Sequence, residues 1–147
     1  MGCLKHNWRT RLKSGGRISF ATWPPELFVG RQIALMMRYM PAPPSGAAMP
    51  ASPVLWGDPN VVRERFGTAV RDLVFERDTM LVPSLSPQLT RTMQEATVAP
   101  LAKLVETLQN NPAKLAQLRD EYEALIRETS DGNCIQQHFL MSRATKV

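Results

Sequence analysis

Hydrophobic and polar positions follow two different periods along this chain, and the first change of period predicts a strand followed by a helix. The run from Ile18 to Thr22 is short and apolar and is ended by Pro24 and Pro25. Such a run is typical of a strand buried on both faces. From about Pro25 to Met40 the apolar residues fall near helical spacing, which predicts a helix.

Prolines and capping residues set the boundaries of the next elements. Residues 41–53 carry five prolines, which no helix interior or central strand tolerates, so this segment is predicted to be a semi-rigid loop. Asp58 and Pro59 then predict the start of a short helix, and Gly67 predicts its end.

A longer strand is predicted over residues 70–82. The apolar residues of its first half have one parity and those of its second half have the other, namely Leu73 and Phe75, then Met80 and Val82. A change of parity implies one extra residue, so a bulge or bend is expected near Arg77 and Asp78.

The last third of the chain is predicted to be helical and to end in a strand. Ser86 and Pro87 favour a helix start, and Pro100 should kink or divide the helical segment. A further amphipathic helix begins near Asn111 and Pro112 and reaches a turn at residues 129–133. Residues 137–147 then form the closing strand.

Charge is distributed unevenly between the two parts of the chain. The whole chain of 147 residues has a formal net charge of +5. Residues 1–38 hold seven Lys or Arg and one acid, which gives +6, and the remainder holds eleven basic and twelve acidic residues, which gives −1. No aromatic-interleaved recognition motif accompanies the basic residues. We therefore interpret residues 1–14 as an irregular, solvated basic head and expect no nucleic-acid partner.

Cysteine usage and hydropathy indicate a cytoplasmic protein. Cys3 and Cys134 lie at opposite ends of the chain, and residues 1–20 contain no apolar core of a secretory signal. Free thiols in a reducing compartment are expected. No run approaches the roughly 18 apolar residues that a membrane span requires.

Four ordered segments resemble the carboxyl half of class I S-adenosylmethionine-dependent methyltransferases. The segments are GGRISFATWPPELFVGRQ, LWGDPNVVRERFG, VFERDTMLVPSLSP and the region around Pro100. The similarity is to the small-molecule branch that contains the ubiquinone and menaquinone biosynthesis enzymes. It extends from about Gly15 to Val147, so residues 15–147 are interpreted as the C-terminal part of a methyltransferase-like domain.

The resemblance implies an α/β fold with part of a Rossmann-like sheet. Residues 17–23, 71–82 and 138–147 would be the fifth, sixth and seventh strands, with the seventh inserted antiparallel between the other two. In the family, S-adenosylmethionine is held by a glycine-rich turn after the first strand and by an acid at the end of the second. Neither element is found here, because Gly15 and Gly16 follow no strand. The resemblance therefore implies S-adenosylmethionine as cofactor without a binding site for it in this chain.

Substrate recognition is the function that such a half could retain. Ligands of open α/β sheets bind outside the carboxyl ends of the strands. By resemblance, six side chains lie at or over that edge and are the substrate-lining candidates: Trp23, Glu26, Phe28, Tyr39, Trp56 and Met93. The acceptor is expected to be small and apolar, and no catalytic residue is identified. Ordinary core packing is the competing explanation for the apolar candidates.

A metal site is disfavoured by the sequence. Cys3, His6, Cys134 and His138 are ligand types for zinc, but the two pairs are far apart in the chain and the first pair lies in the irregular head. No metal is expected.

The open edge of the first strand suggests the partners. Nothing upstream of Arg17 supplies a strand to pair with Ile18 and Phe20, and an apolar strand edge recruits other strands. We expect self-association or a complementary amino-terminal half. The alternative function is a non-catalytic interaction module that binds its partner through this edge.

Overall fold

The computed structural model describes residues 12–41 and 52–147 and contains both strands and helices. In chain order the elements are β1 (Arg17–Thr22), α1 (Phe28–Tyr39), α2 (Pro59–Phe66), β2 (Val70–Pro83), α3 (Pro87–Thr97), α4 (Ala99–Leu108), α5 (Pro112–Thr129), β3 (Ser130–Asp131) and β4 (Cys134–Lys146), with a short 3-10 helix at Pro53–Gly57. The fold is mixed α/β. Most of the proline loop predicted at 41–53, and most of the basic head, lie outside the described residues.

Side-chain caps begin three of the helices where the sequence predicts them. Asp58 accepts a hydrogen bond from the backbone N–H of Asn60 at 2.8 Å. Ser86 accepts one from the N–H of Leu89 at 3.1 Å, and Asn111 accepts one at the start of α5. In each helix a proline occupies the first turn, where its missing N–H is no loss. The predicted helix starts are confirmed.

The last strand of the chain lies in the centre of the sheet. The strand order is β1-β4-β2, and β4 is antiparallel to both neighbours. Ser142 of β4 is opposite Phe20 of β1 on one side and opposite Phe75 of β2 on the other. β3 forms a short hairpin with the start of β4. The closing strand begins at Cys134, three residues before the position that the sequence predicts.

The bulge in β2 lies nearer its start than the sequence predicts. The register with β4 shifts between Arg71 and Val74, where Asp72 has a φ of 55°, and it runs without interruption past Arg77 and Asp78. The prediction near those two residues is wrong. That prediction assumed that the side chain of Met80 points to the buried face of the strand. Met80 is 43% exposed, so its position does not show which face is buried.

β1 has one packed face and one exposed face, so the predicted burial on both faces is wrong. Ile18 and Phe20 are half-buried, whereas Ser19 and Ala21 are exposed. Among the described residues β1 pairs only with β4. No element of the described part covers the side of β1 that carries Ser19 and Ala21. Burial therefore alternates along the strand, as it does in a strand that packs on one face only.

The main core is built by helices. Apolar side chains of α1, α4 and α5 pack together and against Ile135 of β4, including Phe28, Leu35, Leu101, Leu104, Leu118, Tyr122 and Ile126. A second cluster joins Phe20 to Trp56 and Phe66, with ring centroids 5.8 and 5.9 Å apart. Phe20 is opposite Ser142, whose parity on β4 differs from that of Ile135. The two clusters therefore lie on opposite faces of β4.

Within residues 12–41 and 52–147 no helix combines the length and the apolar character needed to cross a bilayer.

Candidate functional site

A cleft lies just beyond the carboxyl end of β1. It has a volume of about 270 Å³. One wall is the start of α1 with Glu26, Leu27 and Phe28, which follow β1 in the chain. The other walls are the end of α5 with the β3 hairpin, and β4 at Gln136 and His138. β4 continues past the end of β1, because its residues before Leu140 pair only with β2 and β3, and this extension leaves room for the cleft.

A bidentate ion pair closes one end of the cleft. Arg31 of α1 donates two hydrogen bonds of 2.7 Å to the two carboxylate oxygens of Glu128 of α5. The hydrogen bond to Glu128 raises the pKa of Arg31, and the same bond lowers the pKa of Glu128. The pair is exposed, so its main effect is to fix the relative position of the two helix ends.

The remaining titratable side chains of the cleft are two carboxylates and an imidazole. Glu26 lies 3.7 Å from the guanidinium of Arg77. His138 lines the cleft, and its Nδ1 is 2.7 Å from the hydroxyl oxygen of Thr79. Asp131 accepts a hydrogen bond from Gln136 at 3.2 Å. Glu26, Glu128 and Asp131 thus give the cleft three carboxylates, whereas its lining residues include one arginine, Arg31.

The hydroxyl groups of the cleft donate hydrogen bonds to backbone carbonyl groups. Thr129 Oγ1 donates to the carbonyl of Leu125 at 2.8 Å, and Ser130 Oγ donates to the carbonyl of Ile126 at 2.6 Å. Both bonds satisfy carbonyls at the end of α5. These hydroxyls are therefore poor candidates for nucleophiles, and Glu26, Asp131 and His138 are the groups able to accept a proton from a bound ligand.

Two of the six predicted substrate-lining residues lie in this cleft, namely Glu26 and Phe28. Phe28 is only 2% exposed and belongs to the main core, so its contribution is the floor of the cleft. The side chain of Glu26 is 55% exposed.

The other four candidates lie at separate places. The half-buried ring of Trp23 packs edge-on against Phe139, with centroids 6.4 Å apart. Trp56 is in the aromatic cluster, and Met93 is exposed on α3. Tyr39 is buried near the end of α1 and donates a 2.8 Å hydrogen bond to Glu121. Burial, together with that bond, raises the pKa of Tyr39 to about 12.

Strand geometry argues against the four-ligand metal site. Cys134 and His138 are four residues apart on β4, about 13 Å at the rise of a strand, whereas ligands of one zinc ion lie within about 2.3 Å of it. Cys3 and His6 lie outside the described residues. In the described ranges no group of three His, Cys, Asp or Glu side chains is placed to hold a metal.

The residues that sequence reasoning missed come from α1, from α5 and from the hairpin of β3 with β4. Arg31 and Glu128 are separated by 97 positions in the chain. Neither they nor Asp131 carry a local signal, because only the packing of α1 against α5 brings them together. Glu128 and Asp131 lie on either side of the end of the last predicted helix. Their proximity in the sequence is the one pattern that could have drawn attention to this place.

Comparison with curated proteins finds relatives that are themselves uncharacterized. No family model matches the sequence. One uncharacterized protein of Mycobacterium bovis and two of Mycobacterium tuberculosis strains are each 27% identical over 135 residues. That match covers 91% of this chain and 48% of each relative. The chain thus spans about half the length of the curated relatives that it matches.

Proposed function

We propose that residues 15–147 are the acceptor-side half of an S-adenosylmethionine-dependent methyltransferase, inactive without a cofactor-binding half. The observation that carries the proposal is the strand order β1-β4-β2. The resemblance implies that the last strand is inserted antiparallel between the two preceding ones, and β4 is antiparallel to β1 and β2 and lies between them. If each strand were paired with the next one in the sequence, β2 would lie in the centre.

The length of the relatives supports the division into halves. The mycobacterial proteins contain about as much sequence outside the match as inside it. In this chain the outer edge of β1 and its Ser19 and Ala21 face are left open among the described residues. A strand and a layer supplied by further polypeptide would cover both.

The residues described here do not fit S-adenosylmethionine by themselves. The family's glycine-rich turn follows a strand and begins a helix, but Gly15 and Gly16 precede β1, and Gly16 closes a turn with Lys13. The described strands also offer no second strand ending in an acid beside such a turn. We therefore assign no cofactor contact to this chain.

The role left to this half is to bind and position the methyl acceptor. The cleft opens at the carboxyl end of β1, which is the edge where ligands of open α/β sheets bind. Phe28 and Leu27 supply an apolar floor, and Glu26, Asp131 and His138 can take a proton from an acceptor hydroxyl or amine. A small acceptor with an apolar body and one polar group fits these walls best.

Titration of a longer relative tests the family assignment. The intact Mycobacterium tuberculosis protein should bind S-adenosylmethionine with a Kd in the micromolar range, whereas its 135-residue matched segment alone should not bind. Isothermal titration calorimetry measures both. An intact relative that does not bind removes the methyltransferase proposal. A matched segment that binds by itself removes the division into halves.

The open edge of β1 favours a second candidate function, a non-catalytic module that binds a partner strand. The edge segment carries one charge, Arg17, and otherwise has few of the devices that block strand pairing. Light scattering on the chain at about 10 µM should then show assemblies that Ala21→Lys reduces, because a charge on an edge strand opposes pairing. Scattering that Ala21→Lys leaves unchanged would exclude this candidate.

A further inference from the structure

Helix α3 is attached to the fold without contributing to its apolar core. In the described part of the chain, the main core takes buried side chains from α1, α4, α5 and β4, and none from α3. Thr90 is the one buried residue of this fully described helix. Its apolar side chains Leu89 and Met93 are 44% and 59% exposed. Because tertiary packing of apolar side chains supplies most of the stability of a helix in a protein, α3 lacks the contribution that stabilises its neighbours.

Ion pairs hold α3 against α5. Arg91, whose side chain is 17% exposed, pairs with Glu123 of α5 at 2.7 Å and with Glu95 of α3 at 2.8 Å. Glu95 also accepts two hydrogen bonds from Arg119 of α5. These charged groups are hydrated when α3 is undocked, so the loss of hydration offsets much of the attraction that docking gains.

Hydrogen bonds between neutral groups complete the contact of α3 with its surroundings. Gln94 of α3 accepts hydrogen bonds from Gln32 of α1 and from Tyr122 of α5. The hydroxyl oxygens of Thr90 and Ser84 are 2.7 Å apart. Each such bond contributes only a modest net free energy, because water satisfies the same groups when the contact opens.

The chain is anchored at both ends of α3. The N–H of Ser84 donates a 2.7 Å hydrogen bond to the carbonyl of Asn133 in the β4 hairpin. Val98, which follows the helix, packs against the main core. The segment 85–97 between these anchors can therefore move while its ends stay in place. A helix of eleven residues is marginal in water on its own, so α3 should lose its helical hydrogen bonds once it undocks.

We propose that residues 85–97 form a separately opening unit, which leaves α5 and unfolds while the main core stays folded. Segments with few buried apolar contacts open at a lower free energy than the core. Tyr122 and Gln32 are 2% and 6% exposed when α3 is docked, and opening uncovers them. The cleft at the end of β1 keeps its walls, because no residue of α3 lines it.

Hydrogen exchange of the full chain in low concentrations of urea, followed amide by amide by NMR, tests this unit. Amides of residues 91–97 should exchange at least about 100-fold faster than the slowest amides of α5. They should also share one dependence on urea that is weaker than that of α5, since the opening exposes less surface than global unfolding. Amides of α3 that exchange as slowly as those of α5, or that share no common urea dependence, would overturn the proposal.

A core substitution separates the local opening from global unfolding. Leu108 is 6% exposed in the main core, at the end of α4 that is remote from α3. Leu108→Ala destabilises the closed and the open forms equally, because the main core is folded in both. It should accelerate exchange of the slowest α5 amides by about 30-fold or more and leave the α3 amides unchanged. Equal acceleration of both sets would contradict a separate unit.

A substitution in the ion-pair network should have the complementary effect. Glu95→Gln weakens only the closed form, so the α3 amides should exchange about tenfold faster. The matched control is Glu128→Gln, which makes the same change in the exposed ion pair with Arg31 and should leave the α3 amides unchanged. Equal effects of the two variants on α3 would show that the network does not hold the unit closed.

Discussion

At the scale of the residue, a close backbone contact requires glycine at a helix position where helix propensity alone would favour another residue. Gly30 is buried within α1, and a Cβ added there would lie 2.4 Å from the carbonyl oxygen of Pro24 and 2.5 Å from the Cα of Pro25. Both contacts are with backbone atoms that cannot rotate away. The helix can pack against the turn after β1 only because this residue is glycine.

Gly30→Ala should therefore destabilise the protein by about 1–3 kcal/mol, as overpacking of a close contact does. Helix propensity alone predicts the opposite, a gain of about 1 kcal/mol. The matched control is Ala34→Gly, at an exposed position of the same helix, which should cost up to about 1 kcal/mol. Urea unfolding of both variants measures these values, and a stabilising Gly30→Ala would show that α1 does not pack against the turn as described.

Phe20 of β1 and Trp23, which follows the strand, should contribute unequally to stability. Phe20 makes edge-on contacts with both Trp56 and Phe66, whereas Trp23 contacts the ring of Phe139. Because an aromatic pair contributes about 0.5–1.5 kcal/mol beyond its buried area, Phe20→Ala should lower the free energy of unfolding by about 1 kcal/mol more than Trp23→Ala. Equal losses in thermal or urea unfolding would mean that Trp23 is as much a part of the core as Phe20.

At the scale of the element, the contact between α3 and α5 depends on ionised Glu95. Burial opposes ionisation of this carboxyl, but hydrogen bonds from Arg119 and Arg91 outweigh burial and lower its pKa from the ordinary 4.5. A carboxyl whose pKa is lowered on folding stabilises the protein above its unfolded-state pKa. That contribution is lost as the pH falls through the lowered folded-state value.

The free energy of unfolding should therefore decrease from about pH 4.5 downwards, and more steeply for the wild type than for Glu95→Gln. The variant should be less stable at pH 7, because Arg91 and Arg119 lose a charged partner. Urea unfolding between pH 7 and pH 3 gives both curves, and their difference isolates Glu95 from the other carboxyls. Parallel curves would contradict the assignment of a stabilising role to this group.

The sequence predicted the elements whose signals are local. Asp58, Ser86 and Asn111 cap helices because a side chain and an N–H two or three residues later suffice to form the bond. The bulge of β2 was misplaced because Met80 is apolar but exposed, and no sequence pattern states which face a partner covers. The alternation of apolar residues therefore predicted the strand correctly but did not predict the position of its bulge.

At the scale of the whole molecule, the cleft could be predicted only in part. Glu26 and Phe28 were expected near the carboxyl end of β1 because they follow it directly in the chain. Arg31, Glu128 and His138 meet them only through the packing of α1, α5 and β4, and contacts across such separations leave no local pattern. The grouping of Trp23, Tyr39, Trp56 and Met93 over one edge was expected, but the structure distributes them over separate places.

The central proposal is that residues 15–147 bind a methyl acceptor and leave the cofactor to another polypeptide. Isothermal titration of the purified chain with S-adenosylmethionine, and separately with its demethylated product, tests that claim most directly. The account predicts no heat beyond dilution for either ligand, since residues 15–147 supply neither the glycine-rich turn nor the acid that would hold them. Binding with a Kd in the micromolar range or below would contradict the account, and it would also overturn the assignment of residues 17–23 as the fifth strand.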